Sequence, residues 1–174
     1  MTMNRRELES LLLTLESTPV LITRAAEEIG ASLVRRQPAG GGFSLVEHVW
    51  HLADLEREAY GMRIRRILSE EEPTLADFEG DRLARERVYQ ERDLAEGLAA
   101  FAVARDRNVR KLRTIHNSDW KRRGNQEGVG TIALEDIPRM MAAHDRAHTS
   151  EIVDLLAHLK EGGPFRAQPS SAVA

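Results

Sequence analysis

One feature constrains this chain above all others: a helical apolar period that runs through most of its length. Leu8, Leu12, Leu15, Ile22, Ala26, Ile29 and Leu33 recur at alternating steps of four and three, with Pro19 in the one missing slot. That is an apolar stripe on a helix, expected to kink or restart near Pro19 because proline has no N–H to bond back. The stripe ends before Gln37-Pro38-Ala39-Gly40-Gly41-Gly42, a run of breakers. Ser44, three residues before Glu47, predicts a capping box at the start of a second helix, with Phe43 placed for the accompanying staple. Its buried side is Leu45, Val49, Leu52, Ala59 and Ile67, and Ser69-Glu70-Glu71-Glu72-Pro73 stops it. A third helix carries Leu94, Leu98, Phe101, Val109, Leu112 and Ile115, with Gly97 a minor weakness. A fourth runs from about Pro138 to Lys160. Four long amphipathic helices without period-two alternation predict an all-α four-helix bundle with long connections.

The connection from Thr74 to about Arg92 is long for a structureless loop, so short helical turns or a functional role are expected there. With 174 residues the chain suits one domain, burying ~70% of its unfolded surface. We assign residues 1–161 to that domain and 162–174, small and polar, to a flexible tail. No targeting segment and no membrane span are visible, which predicts a soluble, cytoplasmic protein. Lys plus Arg number 25 against 28 Asp plus Glu, so the basic excess of a nucleic-acid-binding face is missing.

Cysteine is absent, and six histidines are present. The first count excludes disulfides, Cys-ligated zinc, iron–sulfur clusters and a cysteine nucleophile. The second leaves histidine as the carrier of metal or acid–base chemistry. The fourth helix reads Ile137, Met141, His144, His148, Ile152, Leu155, Leu159 along its stripe, which puts two histidines one turn apart on the core side. Unpartnered buried imidazoles cost about 1–3 kcal/mol each. One metal ion would resolve both, and so would carboxylates or backbone carbonyls. The second helix presents His48 and His51 beside its own apolar arc. Either could be a third ligand across the bundle, and periodicity does not choose between them. His116 and His158 read as structural or solvated. Three histidines with an open position are the pattern of a catalytic-type site. No Glu-x-x-His pair exists, which argues against a ferritin-like di-iron centre, and no His-Glu-x-x-His motif is present.

Two runs carry a family resemblance. Phe43-Ser44-Leu45-Val46-Glu47-His48-Val49-Trp50-His51-Leu52-Ala53-Asp54 resembles the first metal motif of the DinB/YfiT-like family, and His144-Asp145-Arg146-Ala147-His148-Thr149-Ser150-Glu151-Ile152 resembles its second. Asp119-Trp120-Lys121-Arg122-Arg123-Gly124 and Thr131-Ile132 also fit, so the likeness extends from about Leu12 to Leu159. Phe43 stands where the family usually has Trp. The resemblance implies metal ligands at His51, His144 and His148, with His48 a bystander or outer partner. It further implies one divalent ion, zinc or nickel, in a bundle that is often homodimeric. It also implies a transferase or isomerase using a low-molecular-weight thiol such as bacillithiol or mycothiol.

Without a cysteine of its own, the chain would have to receive that thiol as a small-molecule cosubstrate. A metal-dependent hydrolase is the alternative, with Glu47, Asp54 or Glu58 as general base. A non-catalytic metal-binding stress-response protein is the third reading, with Trp50 and Tyr60 placed for a helix–helix interface. Substrate choice is expected in loops 74–92 and 117–133, where Arg122 and Arg123 could receive an acidic cosubstrate.

Overall fold

Helix α1 (Arg5–Ile29) begins at Asn4, whose side chain accepts the Glu7 N–H at 2.9 Å. It then runs unbroken through Pro19, where the sequence predicted a kink or restart. The reason lies on another helix. A proline at 19 leaves the Leu15 carbonyl without its usual partner four residues on, and Arg105 donates to that carbonyl at 2.8 Å. Thr18, rather than Pro19, fills the gap in the buried stripe. These contacts belong to a computed structural model that describes residues 3–162, so all of the expected tail beyond Gly162 lies outside the described residues.

Helices α2 (Leu45–Asp54) and α3 (Gly61–Ser69) are joined by a π-helical turn, Leu55–Tyr60, into one continuous rod. Every residue of α2 is buried, because α4 (Gly80–Glu86), α5 (Leu94–Arg113) and α6 (Ile137–Lys160) all pack against it. The sequence identified only one buried face. At α5 the expected weakness of Gly97 is a packing requirement instead: a Cβ there would lie 2.9 Å from both Trp50 Nε1 and Val49 Cγ1. Helix α1 packs on α5 and α6 to close the four-helix bundle.

The 74–92 connection does hold short helical turns, α4 and a 3₁₀ turn at Tyr89–Glu91. It also holds strand β1 (Thr74–Leu75), which pairs in parallel with β2 (Arg123–Gln126). Strand β2 in turn pairs antiparallel with β3 (Gly130–Ala133), Arg123 opposite Ala133. This small sheet was not expected. Strands of two to four residues are too short for a period-two signal.

The apolar core is divided in two. One half gathers Leu12, Leu15, Tyr60, Ile64, Val109 and Met141. The other gathers Ile22, Leu45, Trp50, Phe101, Ile152 and Leu155. Trp50 and Tyr60, 3% and 5% exposed, are thus core residues and offer no interface. No helix among the described residues is long and apolar enough to cross a membrane.

Candidate metal centre

Between the two apolar halves lies a polar layer with two parts. The first is closed on itself. Arg105 forms a bidentate pair with Asp145 at 2.6 and 2.7 Å and donates to Glu56 at 2.9 Å. Asn108 donates to the Glu56 carboxylate at 2.7 Å and Thr18 to Asp145 at 2.6 Å. Burial raises the Glu56 pKa against the pull of Arg105, while the two carboxylates keep Arg105 charged despite its burial.

The second part is the histidine cluster. Helix α2 brings in His48 and His51 one turn apart, and α6 brings in His144 and His148. The capping end of α2 is fixed by Glu47, which accepts the Ser44 N–H and hydroxyl at 2.8 and 2.7 Å. Helix α6 is fixed in rotation by Asp145, which faces Arg105 while His144 and His148 face α2. The Nε2 atoms of His51, His144 and His148 then converge, with His51 3.4 Å and His148 3.2 Å from His144. Phe43 and Phe78 wall the His51 ring at centroid distances of 5.5 and 5.6 Å. Gly80 closes it from above: a Cβ there would stand 2.3 Å from His51 Cε1.

Burial, then the charge of neighbouring imidazoles, drives the pKa of His48 and His51 down to about 3. Burial first also takes His144 down to about 4 and lowers His148. All four rings are therefore neutral at neutral pH, each offering a lone pair. The Nδ1 atoms of His51 and His144 are buried without a partner. At Nε2 these rings meet only other imidazoles.

A cation at 2.0–2.1 Å from three tetrahedral nitrogens would space them about 3.3 Å apart. The observed 3.2 and 3.4 Å from His144 to the other two rings match that spacing. His51, His144 and His148 form one group whose ligand atoms lie within 4.8 Å of one another. His48 is more than a bystander, since its Nδ1 lies 3.0 Å from His148 Nδ1.

The carboxylates named from helix faces are held by other partners, although Glu47 also borders the cleft beside His48 and His148. Glu47 is held by Ser44 and by Gln37, which donates at 2.8 and 2.9 Å. Asp54 accepts from Tyr89 and Arg87 at 2.6 and 2.5 Å, and Glu58 pairs with the same arginine at 2.7 Å. None of these contacts reaches the cluster. The carboxylate that does is Glu151, whose Oε2 lies 2.9 Å from His148 Nδ1. Sequence reasoning missed it, although Glu151 stands three residues after His148 on the same helix.

Outside the cluster opens a cleft of about 850 Å³, bordered by Phe43, His48, Asp81, Arg85, His148 and Glu151. Its walls come from α4 in the 74–92 connection, as expected, and from the breaker run at 37–42. Loop 117–133 contributes nothing to it. Arg122 is bound instead to the carbonyls of Ile67 and Glu70 at 2.7 and 2.8 Å, away from this cleft. His158 lines the cleft, half-buried, whereas His116 is exposed beyond the end of α5.

Comparison with known proteins agrees with this layout. A model of the DinB superfamily matches residues 14–152. A solved structure, YfiT from Bacillus subtilis, superposes with a TM-score of 0.83 at 22% identity, covering 94% of this chain and 92% of that one. That protein is described as a probable metal-dependent hydrolase with an unusual four-helix bundle topology. No curated protein sequence matches the chain.

Proposed function

The chain belongs to the DinB superfamily, and from that premise we propose that it is a divalent-metal-dependent enzyme whose cation is held by His51, His144 and His148. The observation that carries this reading is the convergence of His51 and His148 on His144, Nε2 to Nε2 at 3.4 and 3.2 Å, beside an open cleft. When bound, a divalent cation with zinc-like or nickel-like preferences supplies a Lewis acid that lowers the pKa of a thiol or of water.

The choice between those nucleophiles turns on the surrounding residues. A thiol has an ordinary pKa of about 8.5 and ionises beside a cation without further help. Hydrolysis gains from a general base, and Glu47, Asp54 and Glu58 are all engaged by other partners, Glu47 at the edge of the cleft itself. We therefore place thiol transfer first: the cleft receives a low-molecular-weight thiol and a small electrophile, and the protein, having no cysteine, contributes no sulfur of its own. Hydrolysis is the second reading, favoured by one observation. Glu151 is an exposed carboxylate in the cleft, beside His148, where it could take a proton from water.

Chelator-stripped protein titrated with zinc should lose its tightest-bound equivalent in His51→Ala and in His144→Ala. If His48→Ala removes that equivalent and His51→Ala leaves it, the ligand assignment is wrong. For the reaction, zinc-loaded protein is incubated with an alkylating electrophile and a panel of small thiols. Acceleration absent from His148→Ala supports thiol transfer. Ester hydrolysis instead, with a kcat lowered by Glu151→Gln, supports the second reading.

A further inference from the structure

We infer that the outer face of the same cluster is a second cation site: His48 Nδ1, His148 Nδ1 and Glu151 Oε2 hold a divalent transition-metal ion at the floor of the cleft, and the His148 imidazole bridges it to the inner ion. This rests on the proposed inner centre.

The geometry is independent of the inner one. Three different atoms converge, with His48 Nδ1 to His148 Nδ1 at 3.0 Å, His148 Nδ1 to Glu151 Oε2 at 2.9 Å, and His48 Nδ1 to Glu151 Oε2 at 3.7 Å. Their mean spacing matches the edge of about 3.3 Å expected around a tetrahedral ion. A single proton serves this arrangement poorly. With Nε2 of His148 offering its lone pair inward, the ring's one hydrogen sits on Nδ1, in the ring plane. Two acceptors, His48 Nδ1 and Glu151 Oε2, both lie within 3.0 Å of that nitrogen, and the hydrogen can point well at only one. A cation accepts a lone pair from all three.

Access and charge agree. His48, His148 and Glu151 all border the cleft, so an ion there keeps open positions toward solvent. His51 and His144 do not border it. On binding, the Nδ1–H bond of His148 is exchanged for a bond from Nδ1 to the metal, and the proton leaves to solvent. The resulting imidazolate and the Glu151 carboxylate offset the second ion's two positive charges. Two nitrogens and one oxygen suit zinc, nickel or copper(II) rather than calcium or magnesium.

The competing arrangement is a simple hydrogen bond, with Glu151 only orienting His148. Stoichiometry separates the two. Chelator-stripped full-length protein is titrated with zinc chloride and bound zinc is counted by elemental analysis after gel filtration. Two zinc per chain are expected in the unmodified protein, and one in Glu151→Gln and in His48→Ala. Glu151 is exposed, so Glu151→Gln tests the site without a folding risk, and its melting curve checks this. One zinc per chain, unchanged in number by Glu151→Gln, overturns the second site and leaves the inner centre standing. No bound zinc overturns both. Copper(II) tests the bridge: two such ions across one imidazolate couple, so the spin-resonance integral should fall below the copper content. A full integral from two coppers overturns the bridge.

Discussion

The polar layer holds two clusters, one fully buried and one half-open to the cleft, and they solve the same problem in opposite ways. Arg105, Glu56, Asp145, Asn108 and Thr18 are bound to one another, leaving Arg105 Nε as the one fully buried side-chain nitrogen or oxygen among these five without a partner. His51, His144 and His148 present lone pairs to each other and have buried Nδ1 atoms with no partner at His51 and His144. A closed network is complete when the chain folds. An open one needs something from outside. The contrast marks the first as scaffold and the second as site, although both are built from charged or titratable residues on the same helices. They also share α6, where Asp145 ties down the helix that aims His144 and His148.

The sharpest way to break this contrast is to open the closed network. Arg105→Ala would strand the Glu56 and Asp145 carboxylates in the core and free the Leu15 carbonyl again. Losing one member of a buried ion pair costs about 3–5 kcal/mol, and urea unfolding of the metal-free protein should show a loss of that size. A loss under about 1 kcal/mol, typical of exposed pairs, would remove the scaffold reading.

The open cluster should behave in reverse. Zinc at a hundred times its Kd should stabilise the native protein by about 2.7 kcal/mol, read as a shift of the urea midpoint. His144→Ala should abolish that gain while destabilising the metal-free protein less than Arg105→Ala does. A metal-free loss equal to that of Arg105→Ala would mean the histidines are scaffold too.

A smaller effect sharpens the boundary. Thr18→Val removes the hydroxyl that donates to Asp145 at 2.6 Å, and a net hydrogen bond is worth about 1 kcal/mol. Stability should fall by that much with zinc affinity unchanged. If affinity falls as well, the two clusters are coupled through α6 more tightly than their separate hydrogen bonds imply.

How far the sequence displayed this layer is instructive. The bundle and the four inward histidines follow from stripes that are visible residue by residue. The closed network hid because a charged residue in a helix reads as solvated, and its partners lie far along the chain. Yet one stripe carried a trace of it. The first lacks an apolar residue at Thr18–Pro19, while the second buries Glu56 next to Leu55 and the third buries Arg105 and Asn108 around Ala104. Thr18, Glu56, Arg105 and Asn108 join Asp145 in one hydrogen-bonded network. Only the Thr18–Pro19 break is a gap in the apolar period; Leu55 and Ala104 keep the other two stripes apolar and mask the polar residues beside them. What no stripe could show is which carboxylate meets the cluster. Asp54 and Glu58 share the α2 side with His51, but Arg87 and Tyr89, brought in by the 74–92 connection, claim them.

Glu151 is the residue on which scaffold and site diverge most, because its stability effect is the smallest. Its carboxylate is exposed and its only ring partner in the cluster with a short contact is His148, at 2.9 Å. Surface substitutions away from the core move stability by no more than about 0.5 kcal/mol, so Glu151→Gln should leave the metal-free urea midpoint almost unmoved. Its effect on metal should nonetheless exceed that of Thr18→Val. An outer partner that only orients a ligand is worth about 10–100-fold in metal affinity, which would appear as weaker binding of the inner zinc at constant stoichiometry. A ligand is worth a whole equivalent. Zinc titration of Glu151→Gln therefore reads the same carboxylate in two distinguishable ways. Unchanged affinity and unchanged count together would place Glu151 outside the site, and the open cluster would end at His148.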